Sequence, residues 1–306
     1  MSDYEVHDER FRKLFVIHAK LETLHTGSRW SEGPAYFPAG RYLVWSDIPN
    51  DRLLRFDETD GSVSVFREPC GHENGHTVDR EGRLVSCEHR GRCVSRTEHD
   101  GSRTLLASQV RGRRLNSPND VVVRSDGSIW FTDPPYGIES EYEGDVALGE
   151  IGACHVYRLD PNDGAVSEVV TDMRCPNGLC FSPDERLLYV ADTGATHKPG
   201  RAAEIRVYNV DANGVAVSGG RWFAQSDHGL IDGIRADSHG NIWASSGDGV
   251  RCYAPDGALL GKVLVPEMVS NLCFGGRKRN RLFITAHTSL YAIFLNTQGA
   301  LRPGRL

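Results

Sequence analysis

Long hydrophobic runs are missing from this chain of 306 residues. No apolar stretch approaches the length of a membrane-crossing helix, which excludes a helical membrane span. A positive charge balance is missing too. Lys and Arg number 35 against 41 Asp and Glu, for a net charge of −6. That leaves no electrostatic case for nucleic acid or an anionic membrane surface as partner. No glycine-rich segment carries the lysine and hydroxyl of a phosphate-binding loop; Ser246-Gly247-Asp248-Gly249 reads as a turn. No Gly-x-Ser-x-Gly elbow exists, so a serine hydrolase of that type is excluded. His72-Glu73-Asn74-Gly75-His76 matches the string of zinc proteases, but that motif works only on a helix, and Asn-Gly breaks one. Cys175 and Cys180 have no second cysteine pair to complete a zinc site. The N-terminus, MSDYEVHDERFRKLF, lacks the apolar centre of a signal peptide. The expectation is a cytoplasmic protein, or a periplasmic or exported one if a leader has been removed. The eight cysteines include Cys87, Cys180, Cys252 and Cys273 inside apolar segments. They read as buried free thiols, which suits a reducing compartment.

What is present is a repeat. Pro176 to Asp192 reads as a polar lead residue, a strand, a tight turn, a second strand and a polar end residue. The same pattern begins at Glu32, Asn74, Asn119, Asn177, Asp232 and Asn271, with Arg41, Arg83, Ser128, Arg186, Asn241 and Asn280 nine residues on. Successive lead residues are 42, 45, 58, 55 and 39 apart. That is the spacing of four-stranded propeller blades. Further strand-like runs at 52–56, 62–66, 155–159, 166–170 and 204–210 fill the copies. The last copy has only one more strand, 289–295, before the chain nearly ends. Its fourth strand is expected from residues 21–26. The prediction is one all-β domain over 1–306, a six-bladed β-propeller closed by an N-terminal strand, with blades starting near 32, 74, 119, 177, 232 and 271. Residues 1–20 form an extension, in which 4–15 read as a short helix packed outside the ring. The 33 glycines suit so many turns.

First strands line the central channel of a propeller. Every lead residue is a carboxylate or a carboxamide: Glu32, Asn74, Asn119, Asn177, Asp232 and Asn271. Turn chemistry explains one or two such residues, since Asn and Asp bond their own backbone. It does not explain all six, nor a Glu in the first. Converging hard oxygens are what Ca²⁺ or Mg²⁺ requires. Second strands end at the same rim, at Asp47, Glu88-His89, Asp133, Asp192, Ser246 and His287. Of these Asp133 and His287 are the better pocket candidates. His76, two residues after Asn74, is placed on the same side by strand alternation. Two insertions, 134–153 and 193–203, fall at this rim and read as a lid or specificity wall.

These segments resemble one family. Ser31-Glu32-Gly33-Pro34, Ser117-Pro118-Asn119-Asp120, Phe131-Thr132-Asp133-Pro134-Pro135-Tyr136-Gly137, Pro176-Asn177-Gly178-Leu179 and Ile231-Asp232-Gly233-Ile234 are similar, in order and at blade spacing, to the senescence marker protein, gluconolactonase and regucalcin-like group. The Asp-Pro-Pro-Tyr-Gly run resembles the bacterial gluconolactonase branch most. The resemblance implies one divalent metal on the channel axis, Ca²⁺ first, with Mg²⁺, Mn²⁺ or Zn²⁺ as alternatives. Glu32, Asn177 and Asp232 would be its ligands, and Asn119 a fourth ligand or a substrate contact. The regucalcin-like branch has a sugar-binding Arg where this chain has Ser117. The expected reaction is metal-assisted hydrolysis of a lactone, probing a small molecule and neither nucleic acid nor membrane; the oligomeric state stays open. Resemblance favours Asp232 as base, with His76, His287 and Asp133 as other proton acceptors. Asn119, Asn74 and Tyr136 would face the substrate. Phosphotriester hydrolysis on the same cup, and a non-catalytic metal-stabilised binding module, are the rival readings. A strictosidine synthase-like propeller would lack the ligand at Glu32.

Overall fold

The structure is a computed structural model, and it describes residues 3–197 and 203–300. Five four-stranded antiparallel sheets and one of five strands form the blades of a six-bladed propeller. Blade one is Ser31–Phe37, Tyr42–Asp47, Arg52–Asp57 and Val63–Arg67. Blade two opens with Glu73–Val78, blade three with Val121–Val123, blade four with Pro176–Phe181, blade five with Ile234–Ala236 and blade six with Val269–Gly275. Blade six takes its outer strand from the N-terminus: Glu22–Thr26 pairs antiparallel with Ser289–Phe294. That closure completes the fourth strand of blade six and ties residues 22–26 to residues 289–294.

The short apolar runs form strands because each is buried on both sides. Second strands sit between a first and a third strand and between neighbouring blades. Trp45, Trp130 and Trp243 lie on them and are fully buried. The apolar core is accordingly not central. It divides into six clusters, each joining two adjacent blades; Tyr36, Phe56 and Phe283, for example, bind blade one to blade six.

The extension differs from the expected helix. Tyr4–Val6 is a strand that pairs with Leu259–Leu264, adding a fifth strand to blade five. Only Glu9–Lys13 is helical, as a short 3-10 turn capped by Asp8. Alternating Tyr4 and Val6 against an open outer strand outweighs weak helix propensity. The stretch does pack outside the ring, with Tyr4 stacked on Phe15 and Phe11 against Trp243.

Among the described residues no helix is long and apolar enough to cross a membrane. All eight cysteines are free; seven are buried and Cys154 is partly exposed. The 134–153 insertion holds one helical turn, Tyr136–Glu139. Of the 193–203 insertion, Gly194–Thr196 forms a 3-10 turn and residues 198–202 lie outside the described residues.

Candidate active site: an oxygen-lined cup at one channel mouth

Neighbouring blades meet through the backbone just after their lead residues. The Gly75 amide donates to the Asn119 carbonyl at 2.8 Å, and the Gly178 amide to the Asp232 carbonyl at 3.1 Å. A Cβ on Gly178 would lie 2.1 Å from that carbonyl oxygen, and one on Gly33 would lie 1.9 Å from the Asn74 oxygen. Only glycine permits this approach, which is why Glu32, Asn74, Asn177 and Asp232 are each followed by one. The pairing of first and second strands slips at the same points, in blades one, two, four and six. Such bulges re-aim side chains next to functional sites.

The cup is built around Glu32 and Asp232, the Glu32 charge acting on Asp232, with Asn177 and Asn119 the lead residues of blades four and three. Glu32 is buried, and its Oε2 accepts from the Gly33 amide at 2.6 Å and from Asn271 Nδ2 at 3.0 Å. Burial raises the Glu32 carboxyl well above the carboxylate range despite these bonds; Asp120 and Glu143 push the same way. Asp232 is partly exposed. Burial raises it as well, followed by the negative charges of Glu32, Asp120 and Glu143. Asn177 donates through Nδ2 to Thr193 Oγ1 at 3.3 Å, and its Oδ1 is buried with no hydrogen-bond partner. Asn74 contacts His89 Nε2 through Nδ2 at 3.2 Å and also leaves Oδ1 buried without a hydrogen-bond partner. Below the cup, Asp120 of blade three and Arg235 of blade five bridge the channel at 3.0 and 3.3 Å.

The remaining candidates are placed differently. His76 does not share the side of Asn74. The bulge between Glu73 and His76 shifts the alternation that the sequence implied. Its Nε2 lies 2.8 Å from Ser46 Oγ and its Nδ1 2.8 Å from Ser86 Oγ. It borders a cavity of about 100 Å³ at the far end of the channel, with Cys180, Arg235 and Phe274. Burial lowers its pKa to about 3. Asp133 is fully buried, and its Oδ2 accepts the Asn116 amide at 2.8 Å. Burial pushes it up to about 7, against the Asn116 and Ser117 amides. Asp47 and Asp192 do the same for the amides of Arg29 and Arg174. All three amides lie three residues before a lead residue, so these aspartates are struts that fix the loop entering each first strand. His287 is exposed at the rim and packs on Trp30 with ring centroids 5.5 Å apart. Tyr136 joins the two rim loops, its hydroxyl 2.6 Å from Thr193 Oγ1 and 3.1 Å from Thr196 Oγ1.

One residue of the cup has no signature in the sequence. Glu143 lies on the 134–153 loop, which crosses the mouth: Tyr142 donates to the Arg29 carbonyl, and Asp145 pairs with Arg90. His89 Nδ1 binds the Glu143 carbonyl at 3.0 Å. The Glu143 carboxyl acts on both Glu32 and Asp232, and burial pushes it up to about 7. Loop length pointed to this segment, but nothing distinguishes Glu143 from Glu139, Glu141 or Asp145 beside it.

The donor set fits a hard cation. Among the described residues, no group of three His, Cys, Asp or Glu is placed to hold a metal ion. The cup offers two carboxylates and carboxamide oxygens instead. The unpartnered Asn177 Oδ1, and the carboxyls of Glu32 and Asp232 raised by burial and by the negative charge around them, are what a divalent cation would relieve.

Fold and cup together define a six-bladed propeller with an oxygen-lined site at one mouth of its channel. Residues 30–288 match the SMP-30/Gluconolactonase/LRE-like region, and the chain belongs to that family. It is 31% identical to a gluconolactonase of Zymomonas mobilis, over 95% of this chain and 85% of that one. It is 33% identical to a pentonolactonase of Haloferax volcanii, over 85% and 82% of the two chains. The solved structure of a gluconolactonase from Xanthomonas campestris superposes with a TM-score of 0.89 at 40% identity, covering 95% of this chain and 94% of that one.

Proposed function

We propose that this protein is a lactonase that opens a sugar lactone in the cup with the help of one divalent cation, Ca²⁺ in first place. What supports the reading most is the Glu32 carboxyl acting on Asp232, beside a buried Asn177 Oδ1 without a hydrogen-bond partner, in a chain whose relatives include a gluconolactonase and a pentonolactonase. Those relatives favour it over phosphotriester hydrolysis and over a non-catalytic module.

Glu32, Asn177 and Asp232, with Asn119 as the fourth, would hold the cation. When bound it supplies Lewis-acid polarisation of the lactone carbonyl. The chain's own residues do the rest. Asp232 takes a proton from water as the water oxygen attacks the carbonyl carbon. A carboxylate that also holds the cation is a weakened base, so Asp232 serves with the oxygen that the cation does not take. The ring C–O bond then breaks, and the proton passes to the departing ring oxygen, giving the hydroxy acid. Asn119, Asn74 and Tyr136 orient the sugar hydroxyls. His76 and Asp133 are spent on structural bonds, which leaves Asp232 and the exposed His287 at the rim as the candidate bases, with family resemblance favouring Asp232. Ser117 in place of an arginine favours a neutral sugar lactone over an anionic one.

The test is acid release from glucono-δ-lactone by chelator-stripped protein, with Ca²⁺, Mg²⁺, Mn²⁺ or Zn²⁺ restored one at a time and spontaneous opening subtracted. Turnover is expected to return with a metal. It should fall at least about 100-fold in Glu32→Gln and Asp232→Asn. Undiminished turnover in both variants would overturn the assignment of the cup.

A further inference from the structure

Trp30 stands at the lip of the cup and takes no part in the chemistry assigned to it. In blade one, Ser31 lies opposite Asp47 and Glu32 opposite Ser46. The ladder runs one step further out, since the Ile48 amide donates to the Trp30 carbonyl at 3.2 Å. The slip in this pairing comes only after Glu32. Strand alternation therefore holds between residues 30 and 32, and it sets the Trp30 side chain on the side of Glu32, nearer the mouth. The Trp30 ring meets the exposed His287 with centroids 5.5 Å and planes 55° apart. That contact crosses the seam between blades six and one, as does the bond from Asn271 Nδ2 to Glu32 Oε2. The backbone fixes both rings: the Ser31 amide donates to the His287 carbonyl at 3.0 Å, and the His287 amide to the Met268 carbonyl at 3.0 Å.

The other tryptophans are placed differently. Trp45, Trp130 and Trp243 are fully buried in the apolar clusters, and Trp222 is exposed on the outer strand of blade four. Trp30 is half-buried, so part of its ring is open at the mouth. An indole face is apolar and carries partial negative charge, which suits the polarised C–H groups of a saturated ring. A sugar lactone has such a face, with its hydroxyls around the edge. Small-molecule sites pair an aromatic wall with a few polar groups in this way. The carboxylates and carboxamides of the cup meet the edge, and Trp30 is placed to meet the face.

We propose that Trp30 is a specificity-determining residue of the cup: the C–H face of the lactone ring lies against its indole, so that the site selects a closed ring. This rests on the lactonase reading of the cup. Ring opening turns the flat face into a flexible chain, so the hydroxy acid loses the contact and is released. Trp30 makes and breaks no bond.

The experiment uses the full chain with the activating metal restored. Initial rates on glucono-δ-lactone give kcat and KM. Calorimetric titration with gluconolactam, a closed ring that resists hydrolysis, and with gluconate, the open-chain product, gives affinities without turnover. Wild type is expected to bind the lactam at least about tenfold tighter than gluconate. Trp30→Ala should raise KM and weaken the lactam at least about tenfold, with kcat held within about threefold and gluconate affinity unchanged. Trp30→Phe keeps a flat face and should recover most of the loss. Trp30→Leu keeps apolar bulk without a flat face and should behave like Trp30→Ala, which separates stacking from space-filling and stands in if Trp30→Ala does not fold. The proposal is overturned if Trp30→Leu keeps the wild-type KM and lactam affinity, or if lactam and gluconate weaken equally. A wild type that opens no lactone overturns the lactonase reading and this proposal with it. Wild-type turnover beside an unchanged KM in the variants overturns this proposal alone.

Discussion

His76 is held between two hydroxyls, with Glu73 Oε2 3.8 Å away and Arg67 and Arg103 adding positive charge nearby. Its pKa is about 3 in the folded chain, against about 6.5 for an unperturbed histidine. Between those values the unfolded chain binds the extra proton, so stability rises with pH across the window. The contribution is complete above the upper value and lost as pH falls toward the lower one. Urea unfolding of wild type and His76→Gln checks this. The stability difference should be constant above pH 7 and shrink below pH 6, with a slope approaching about 1.4 kcal/mol per pH unit. At this scale the sequence was readable where residue type alone decides. All six lead positions carry oxygen, and Glu32 and Asp232 stand in the cup. It was not readable where one bulge decides, because strand alternation carries His76 to the wrong side once an extra residue enters the strand. Asp133 was misleading for another reason: a carboxylate that caps a loop and one that meets a substrate look alike until the amide it binds is known.

The rim loop of 134–153 is held over the cup by a short chain of contacts. Gly137 packs against His89, where a Cβ would fall 2.4 Å from the His89 Cβ. His89 in turn holds the Glu143 carbonyl and Asn74. Gly137→Ala is therefore expected to push His89 aside, releasing both. Lactone turnover measured as kcat/KM should fall about tenfold or more, with an unfolding cost of roughly 1–3 kcal/mol from overpacking. A variant that keeps full activity would show that the loop is not positioned through His89. The length and place of this loop followed from the blade spacing. Its path across the mouth did not, since that depends on Tyr142 reaching Arg29 and Asp145 reaching Arg90, contacts between blades that no local pattern encodes. The same applies to the extension at 4–15: its strand forms because blade five offers an open outer edge, which lies far away in sequence.

The ring as a whole depends on its ends. Deleting residues 1–26 removes the outer strand of blade six, and the product is expected to aggregate or melt without a cooperative transition. Deleting residues 1–8 removes only the added strand of blade five. That variant should keep its turnover and lose roughly 2–4 kcal/mol, mostly from burial of Tyr4 and the groups packed on it. Calorimetry of the two truncations separates closure from decoration. The architecture was legible because six copies of one pattern share one spacing, and because the last copy visibly lacks a strand that residues 21–26 supply.

That borrowed strand also sets an order of events in synthesis. Glu22 pairs with Ala292, so the strand at 22–26 must wait, unpartnered, until the strand at 289–294 has been made. Blades one to five can form their seams as they emerge, but the cup draws on Glu32 from one side of the final joint and Asn271 from the other. A nascent chain therefore carries no closed ring around the site until residues 22–26 and 289–294 have met.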